Sequence, residues 1–259
     1  MTDSDAHPQI IRKRGIYLLP NLFTTGSLFA GFYAIIAGMN QDFMTAAIAI
    51  FIALVCDGLD GRVARLINAQ SAFGAQYDSL ADMLSFGVAP ALLAYNWNVL
   101  YLSPVGWSKL AWLSAFIFAA CVALRLARFN VQLDAPSDPK KAKRYFYGLP
   151  CPAAGAFIAS LIWVCNLHGY QGLGVSIFLV IMILLNSYFM VSNIHFRSFK
   201  DIDLKQNIRF TYLVVFIFIL TGIVWRPAEM LCFIFFLFVF SGPVGTVVLF
   251  LRKKKHATT

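Results

Sequence analysis

Acidic residues are scarce in this sequence. Asp and Glu together account for 12 of the 259 residues, and all charged residues for only 13%. Apolar residues make up 59% of the chain and the mean hydropathy is +0.71, values that a soluble domain would rarely have. The composition therefore favours a membrane protein, in which an acidic side chain inside or beside the bilayer is costly and marks a site of function.

Motifs built on cysteine and histidine are absent as well. The five cysteines form no Cys-x-x-Cys pair and lie in or at the ends of apolar runs, so we interpret them as packing residues. The four histidines lie in terminal or loop segments without the spacing of metal ligands. The first residues include Asp3 and Asp5 and no short apolar core with a cleavage site, so no removable signal peptide is expected.

A series of long apolar runs predicts an all-α polytopic membrane protein with about eight transmembrane helices. The predicted spans cover about residues 21–38, 43–61, 75–95, 109–129, 150–167, 172–191, 210–225 and 229–250. We expect one transmembrane catalytic domain over residues 21–250, after a cytoplasmic segment (1–20) and before a basic cytoplasmic tail (251–259). Residues 9–20 form either a helix lying on the membrane surface or a simple basic flank.

The basic residues predict how the chain crosses the membrane. If the spans alternate in direction, 19 of the 21 Lys and Arg fall on the side of the termini, and only Lys109 and Arg226 on the other. Such an excess indicates the cytoplasmic side. We therefore expect a protein of the cell membrane with both termini and the segment between spans 2 and 3 in the cytoplasm. The net charge of +9 then reflects topology and predicts no binding to nucleic acid.

The facing ends of spans 2 and 3 hold four acidic residues within 26 positions. These are Asp57, Asp60, Asp78 and Asp82. The two members of each pair lie three or four residues apart and share a helix face. If the two helices are antiparallel neighbours joined by a short polar turn, the carboxylates pair off at two matching depths, Asp60 with Asp78 and Asp57 with Asp82.

Four ionised carboxylates at such distances would repel one another. Two like charges about 4 Å apart cost roughly 4 kcal/mol at an effective dielectric constant near 20. Either some of the carboxyl groups stay protonated or cations fill the site. Two divalent ions would balance four negative charges, and ligation by oxygen alone suits Mg²⁺, Mn²⁺ or Ca²⁺ rather than zinc.

The same segment resembles the signature of the CDP-alcohol phosphotransferase family, Asp-x2-Asp-Gly-x2-Ala-Arg-x8-Gly-x3-Asp-x3-Asp. The eight matching positions are Asp57, Asp60, Gly61, Ala64, Arg65, Gly74, Asp78 and Asp82. The resemblance implies the fold of that family and a reaction in which an alcohol oxygen attacks the phosphorus of a CDP-linked lipid and CMP leaves. It also implies two Mg²⁺ or Mn²⁺ ions held by Asp57, Asp60 and Asp78. By the same resemblance Asp82 contacts the second ion and takes the proton of the attacking hydroxyl.

The resemblance further implies how the nucleotide lipid binds. The residues expected to bind CDP-diacylglycerol are Gly61, Ala64, Arg65, Ser71, Gly74 and Asn21. Gly61 and Ala64 are small enough for the nucleotide to approach the backbone closely, and Arg65 offers paired donors to the diphosphate. Asn21, together with Thr24, either caps the first span or reaches the cytidine.

Three outlying stretches resemble the bacterial membrane-bound phosphatidylserine synthases of that family, at residues 19–24, 123–130 and 148–154. This resemblance implies L-serine as the acceptor, and the family implies a homodimer. Arg125 or Arg128 would hold the carboxylate of serine, and the amide oxygen of Asn130 its ammonium group, although the arginines could also be topology charges. Two other functions stay open, a sister enzyme that makes phosphatidylcholine or phosphatidylglycerophosphate and an ion-coupled transporter.

Overall fold

The computed structural model describes residues 18–67, 71–134, 145–192, 194–197 and 210–256, which are mostly helical. Of the predicted surface segment 9–20, residues 9–17 lie outside the described residues, as do residues 257–259 of the predicted tail. The helices are α1 (Leu18–Met39), α2 (Phe43–Leu66), α3 (Ala72–Asp82), α4 (Ala89–Leu102), α5 (Ser108–Asp134), α6 (Cys151–Leu167), α7 (Leu173–Val191), α8 (Phe210–Trp225) and α9 (Pro227–His256). A π-helical turn, Met83–Val88, joins α3 to α4 without a break.

The predicted polytopic all-α architecture is confirmed. Six apolar stretches in the described ranges are long enough to cross a membrane, and α3, the π-helical turn and α4 together form one of them. Two shorter apolar helices, α6 with 17 residues and α8 with 16, occupy the positions of predicted spans 5 and 7. Each of the eight predicted spans therefore corresponds to an apolar helix of the described chain.

Helix α6 lies at the centre of the bundle. It packs against α2, α4, α7, α9 and the π-helical turn, and most of its side chains are buried. Pro150 immediately precedes the helix and Pro152 lies in its first turn, where a missing backbone N–H costs nothing. A helix covered on so many sides need not present a long apolar surface to lipid, which accounts for its short length.

Small residues allow the other helices to approach one another closely. Helix α1 packs along α2 and also contacts α3 and α4, and Ala34 in its middle is fully buried. A side chain at Gly26 of α1 would reach the sulfur of Cys56 on α2 at 3.6 Å. Between apolar helices in a bilayer, this close fit replaces the hydrophobic effect as the source of packing energy.

The π-helical turn is wedged between neighbouring helices. A Cβ atom added to Gly31 of α1 would lie 2.7 Å from the Cα atom of Ser85, and one added to Gly155 of α6 would lie 2.9 Å from the carbonyl oxygen of Phe86. Ser85 donates a hydrogen bond to the backbone oxygen of Ser27 on α1 (3.0 Å). The turn begins directly after Asp82, so these contacts fix the end of α3 that carries this carboxylate.

A short antiparallel ladder was not predicted from the sequence. Strands β1 (Tyr145–Tyr147) and β2 (His195–Arg197) pair so that Phe146 lies opposite Phe196. The ladder links the segment between α5 and α6 to the segment between α7 and α8. Strand β2 also packs against α9. With three residues in each strand, it gave no periodic signal against the surrounding apolar runs.

Candidate active site

The end of α2 carries the first half of the acidic motif. The sequence predicted that this helix ends at Gly61, but it continues to Leu66. Arg65 stabilises the extension, because its Nε atom donates a hydrogen bond to the carbonyl oxygen of Gly61 (2.8 Å). As a result the motif residues of α2 follow one another at helical spacing and form a continuous stripe on its surface. They are Asp57, Asp60, Gly61, Ala64 and Arg65.

The short helix α3 carries the second half of the motif along its whole length. Ser71 precedes the helix, and its hydroxyl oxygen accepts a hydrogen bond from the backbone N–H of Gly74 (3.0 Å), which is the usual arrangement of an N-cap. Gly74, Asp78 and Asp82 follow at intervals of four residues and share a helix face. The motif is thus a stripe on each of two helices.

The structure brings the four carboxylates together. Oxygen atoms of Asp57, Asp60 and Asp78 lie within 4.8 Å of one another, and the carboxyl group of Asp82 contacts that of Asp57. Helices α2 and α3, expected to be antiparallel neighbours, do not pack directly against each other, since their backbones rarely come close and α1 packs against both. The carboxylates therefore meet across a gap between the two helices.

This donor set fits divalent cations. At 4.8 Å a pair of ionised carboxylates would repel by about 3.5 kcal/mol at an effective dielectric constant near 20. Two nearby arginines donate hydrogen bonds to groups other than these carboxylates. Arg65 donates to the carbonyl oxygen of Gly61, and Arg125 donates to the sulfur of Cys151. Oxygen ligands gathered in this way suit a hard divalent ion, so the acidic cluster could bind metal.

Thr24 of α1 holds Asp60 in place. Its hydroxyl group lies 2.8 Å from Oδ2 of Asp60 and 3.2 Å from the carbonyl oxygen of Pro20, and both side chains are buried. Since α1 begins at Leu18, Asn21 and Thr24 lie inside the helix and the alternative that they cap it was wrong. The contact of Thr24 with Asp60 joins positions 36 residues apart, which is why no local pattern predicted it.

A cleft of about 450 Å³ opens beside the carboxylates. Its lining includes all six residues predicted to bind CDP-diacylglycerol, namely Asn21, Gly61, Ala64, Arg65, Ser71 and Gly74. Asp60 and Asp78 form the acidic part of its wall, and Thr24 and Phe129 also line it. No sequence pattern selected Phe129, which lies between two residues predicted to contact serine.

The residues predicted to bind serine do not form one group. Asn130 faces α3, where its amide oxygen accepts a hydrogen bond from Ser79 (3.1 Å). Arg128 is exposed and does not line the cleft. Arg125 is half-buried, and its Nη1 atom donates to the sulfur of Cys151 (3.3 Å), which in turn lies 3.9 Å from Oδ2 of Asp82. Arg125 therefore lies close to the acidic cluster, linked to Asp82 through the sulfur of Cys151.

All of these side chains lie at one end of the bundle. They come from the start of α1, the end of α2, the whole of the short helix α3, the end of α5 and the start of α6. That arrangement requires the helices to alternate in direction, as predicted. At the opposite end, Asp42 caps α2 by accepting a hydrogen bond from the backbone N–H of Thr45 (3.1 Å), about 27 Å along the helix from Asp60.

Known proteins resemble this chain over most of its length. The family model described as CDP-alcohol phosphatidyltransferase matches residues 17–196. A protein of Helicobacter pylori is 37% identical over 92% of this chain and 94% of its own length. One of Mycobacterium leprae is 31% identical over 86% and 72%, and one of Bacillus subtilis is 34% identical over 70% and 91%. All three are named CDP-diacylglycerol–serine O-phosphatidyltransferase.

Proposed function

The chain belongs to the CDP-alcohol phosphatidyltransferase family, and we propose that it transfers the phosphatidyl group of CDP-diacylglycerol to the hydroxyl of L-serine. The products are phosphatidylserine and CMP. One observation carries this proposal: four carboxylates meet beside a cleft. All six residues predicted to bind the nucleotide lipid line that cleft. The names of the relatives support serine as the acceptor.

The cleft receives the CDP group. Gly61 and Ala64 leave its wall free of bulky side chains, so the nucleotide can approach the α2 backbone. Only the Nε atom of Arg65 is hydrogen-bonded to Gly61. The terminal N–H groups of its guanidinium can therefore bind the diphosphate. The capped start of α3 presents backbone N–H groups with Ser71 at its first turn, an arrangement suited to phosphate oxygens.

Asp57, Asp60 and Asp78 hold the divalent cations, which we propose to be two Mg²⁺ or Mn²⁺ ions, with Asp82 sharing the second. Bound there, the ions would supply positive charge for the diphosphate and for the departing CMP. Thr24 orients Asp60 through its hydrogen bond, as outer groups commonly do for a ligating carboxylate. The hydroxyl group of Thr24 on α1 thereby helps to position a metal-binding carboxylate that α2 carries.

Asp82 is the general base. It lies at the far end of the cluster from the cleft lining, where an acceptor hydroxyl could approach the phosphorus opposite the leaving CMP. The hydroxyl oxygen of serine attacks the phosphorus, the bond from phosphorus to CMP breaks, and the hydroxyl proton passes to Asp82. Arg125, which reaches this region through Cys151, binds the carboxylate of serine, with Arg128 as a more distant contributor.

The site lies at the cytoplasmic surface of the cell membrane. The predicted charge distribution supports this side, since 19 of the 21 basic residues fall on the side of the membrane where the sequence predicts the acidic motif to lie. We propose a single catalytic domain over residues 21–250 with a cytoplasmic segment before it and a basic tail after it. By analogy with the family we propose a homodimer as the assembly.

A direct assay tests the proposed reaction. Purified protein in mixed micelles receives CDP-diacylglycerol and Mg²⁺ or Mn²⁺ with L-serine, glycerol 3-phosphate, inositol or choline, and CMP release and the lipid product are measured. We expect release with serine and formation of phosphatidylserine. Release with another alcohol and none with serine would assign the chain to a sister enzyme. The variant Asp42→Asn is the matched control, because it alters an aspartate at the other end of the bundle.

A further inference from the structure

The thiol of Cys151 lies between the two charged groups proposed to bind the acceptor. Cys151 is the first residue of α6 and is 1% exposed. Its sulfur accepts a hydrogen bond from Nη1 of Arg125 (3.3 Å) and faces Oδ2 of Asp82 at 3.9 Å. A thiol can do both at once, because it is a weak acceptor and a weak donor.

Arg125 and Asp82 form no ion pair among the described residues, although the two distances through the sulfur limit their separation to 7.2 Å. The Nε atom of Arg125 is buried without a hydrogen-bond partner. A half-buried arginine whose buried Nε atom has no partner would gain by pairing directly with a nearby carboxylate. The sulfur atom stands between them and keeps the guanidinium available to another anion.

The separation of at most 7.2 Å between Arg125 and Asp82 is shorter than an extended small hydroxy acid with a hydrogen bond at each end. In serine a hydroxyl oxygen and a carboxylate oxygen are about 3–4 Å apart, and a charge-assisted hydrogen bond adds about 2.8 Å at each end. Such a chain of contacts fits a gap of this width when it is bent. The hydroxyl then points to Asp82 and the carboxylate to Arg125, with the sulfur atom against the carbon atoms between them.

We propose that Cys151 is a specificity-determining residue, whose sulfur forms the wall of the acceptor pocket and limits it to a hydroxy amino acid of the size of serine. This inference rests on the proposed function. A thiol suits the task because it is polarisable and hydrogen-bonds weakly, so it competes little with serine for Arg125 or Asp82. A branched side chain would narrow the gap, and removal of the sulfur would leave room for an additional methyl group.

The test compares L-serine with L-threonine, which carries one more methyl group on the hydroxyl carbon. Kinetics are measured for the wild type, Cys151→Ala, Cys151→Ser and Cys151→Val. The matched control is Cys165→Ala, since Cys165 is a buried cysteine of the same helix at its opposite end. One methyl group in a tight pocket changes kcat/KM by about 10- to 200-fold. A thermal unfolding curve verifies that each variant is folded.

We expect Cys151→Ala to raise the threonine-to-serine ratio of kcat/KM at least about tenfold, with the KM for CDP-diacylglycerol within twofold of wild type. Cys151→Val should raise the KM for serine about tenfold or more. Cys151→Ser should keep the preference for serine, and Cys165→Ala should change neither value. If the valine variant does not fold, the alanine variant alone decides.

Two results would overturn the inference, and they are distinguishable. If the wild type uses serine but the ratio is unchanged in Cys151→Ala, or changes equally in Cys165→Ala, the role of Cys151 is refuted while the proposed function stands. If the wild type releases no CMP with serine, the proposed function fails and the inference fails with it.

Discussion

Replacement of Thr24 by valine removes one hydroxyl group and preserves the shape of the side chain. Thr24 is 4% exposed and donates to Oδ2 of Asp60 at 2.8 Å. Valine leaves the helix α1 and its packing unchanged but leaves the carboxylate without this partner. We therefore expect Thr24→Val to weaken the binding of the divalent cation and to leave the fold intact.

The magnitude follows from the single hydrogen bond that is lost. A hydrogen bond to a charged group contributes about 1.5–3 kcal/mol, which corresponds to roughly a 10- to 150-fold change in an equilibrium constant. Outer groups that orient a ligand typically affect metal affinity by about 10–100-fold. Both figures predict that the concentration of Mn²⁺ needed for half-saturation rises by one to two orders of magnitude.

The measurement is a Mn²⁺ titration of purified protein, followed by electron paramagnetic resonance of the free ion and, in parallel, by turnover. Thr24→Ser is the matched control, because serine keeps the hydroxyl and removes only a methyl group. We expect Thr24→Ser to bind Mn²⁺ nearly as well as wild type. Because saturating metal should restore most of the activity of Thr24→Val, the defect is one of binding rather than of chemistry.

Equal Mn²⁺ affinity in the wild type and Thr24→Val would refute the role assigned to Thr24. If Thr24→Val and Thr24→Ser both lose affinity for Mn²⁺, the packing of the side chain is responsible, since the serine variant retains the hydroxyl donor. Thermal unfolding measured without metal separates these outcomes from a general loss of stability.

The remaining predictions concern the base, the acceptor site, a helix cap and the metal. Asp82→Asn should abolish CMP release yet keep the unfolding temperature of the wild type; turnover near the wild-type rate would rule out Asp82 as the base. Arg125→Ala and, more weakly, Arg128→Ala should raise the KM for serine more than the KM for CDP-diacylglycerol, whereas equal changes would indicate a structural role. Asp42→Ala should lower the free energy of unfolding by about 1 kcal/mol without reducing turnover per folded molecule, as seen by denaturation and assay together. Removal of metal by a chelator should stop CMP release, and activity that persists after exhaustive chelation would contradict a metal-dependent site.

The sequence predicted the helices well because each is a long apolar run, a signal that requires no knowledge of its neighbours. The grouping of the four carboxylates was likewise accessible, since fixed spacings on helices determine which side chains share a face. The residues that line the cleft were predicted from the resemblance to the family. Gly61 misled the prediction of the end of α2. Glycine lowers helix propensity by only about 1 kcal/mol, and the hydrogen bond from Arg65 favours continuation.

Other features depend on contacts between distant positions. Thr24 meets Asp60, Asn130 meets Ser79 and Arg125 meets Cys151, and none of these pairs lies within one element. The sequence predicted that Arg125 and Asn130 both contact serine, whereas the structure directs their side chains to different neighbours. The π-helical turn was hidden for the same reason, because close packing against Gly31 and Gly155 surrounds it.

The central claim is that Asp57, Asp60, Asp78 and Asp82 bind divalent cations at which serine displaces CMP. The most direct measurement is a structure with Mn²⁺ and CDP-diacylglycerol, in which anomalous scattering locates the ions. We predict peaks bridging these carboxylates at metal–oxygen distances of about 2–2.5 Å, with the diphosphate on the opposite side of the ions. Ions bound elsewhere, or a nucleotide lipid seated away from the four carboxylates, would contradict the claim.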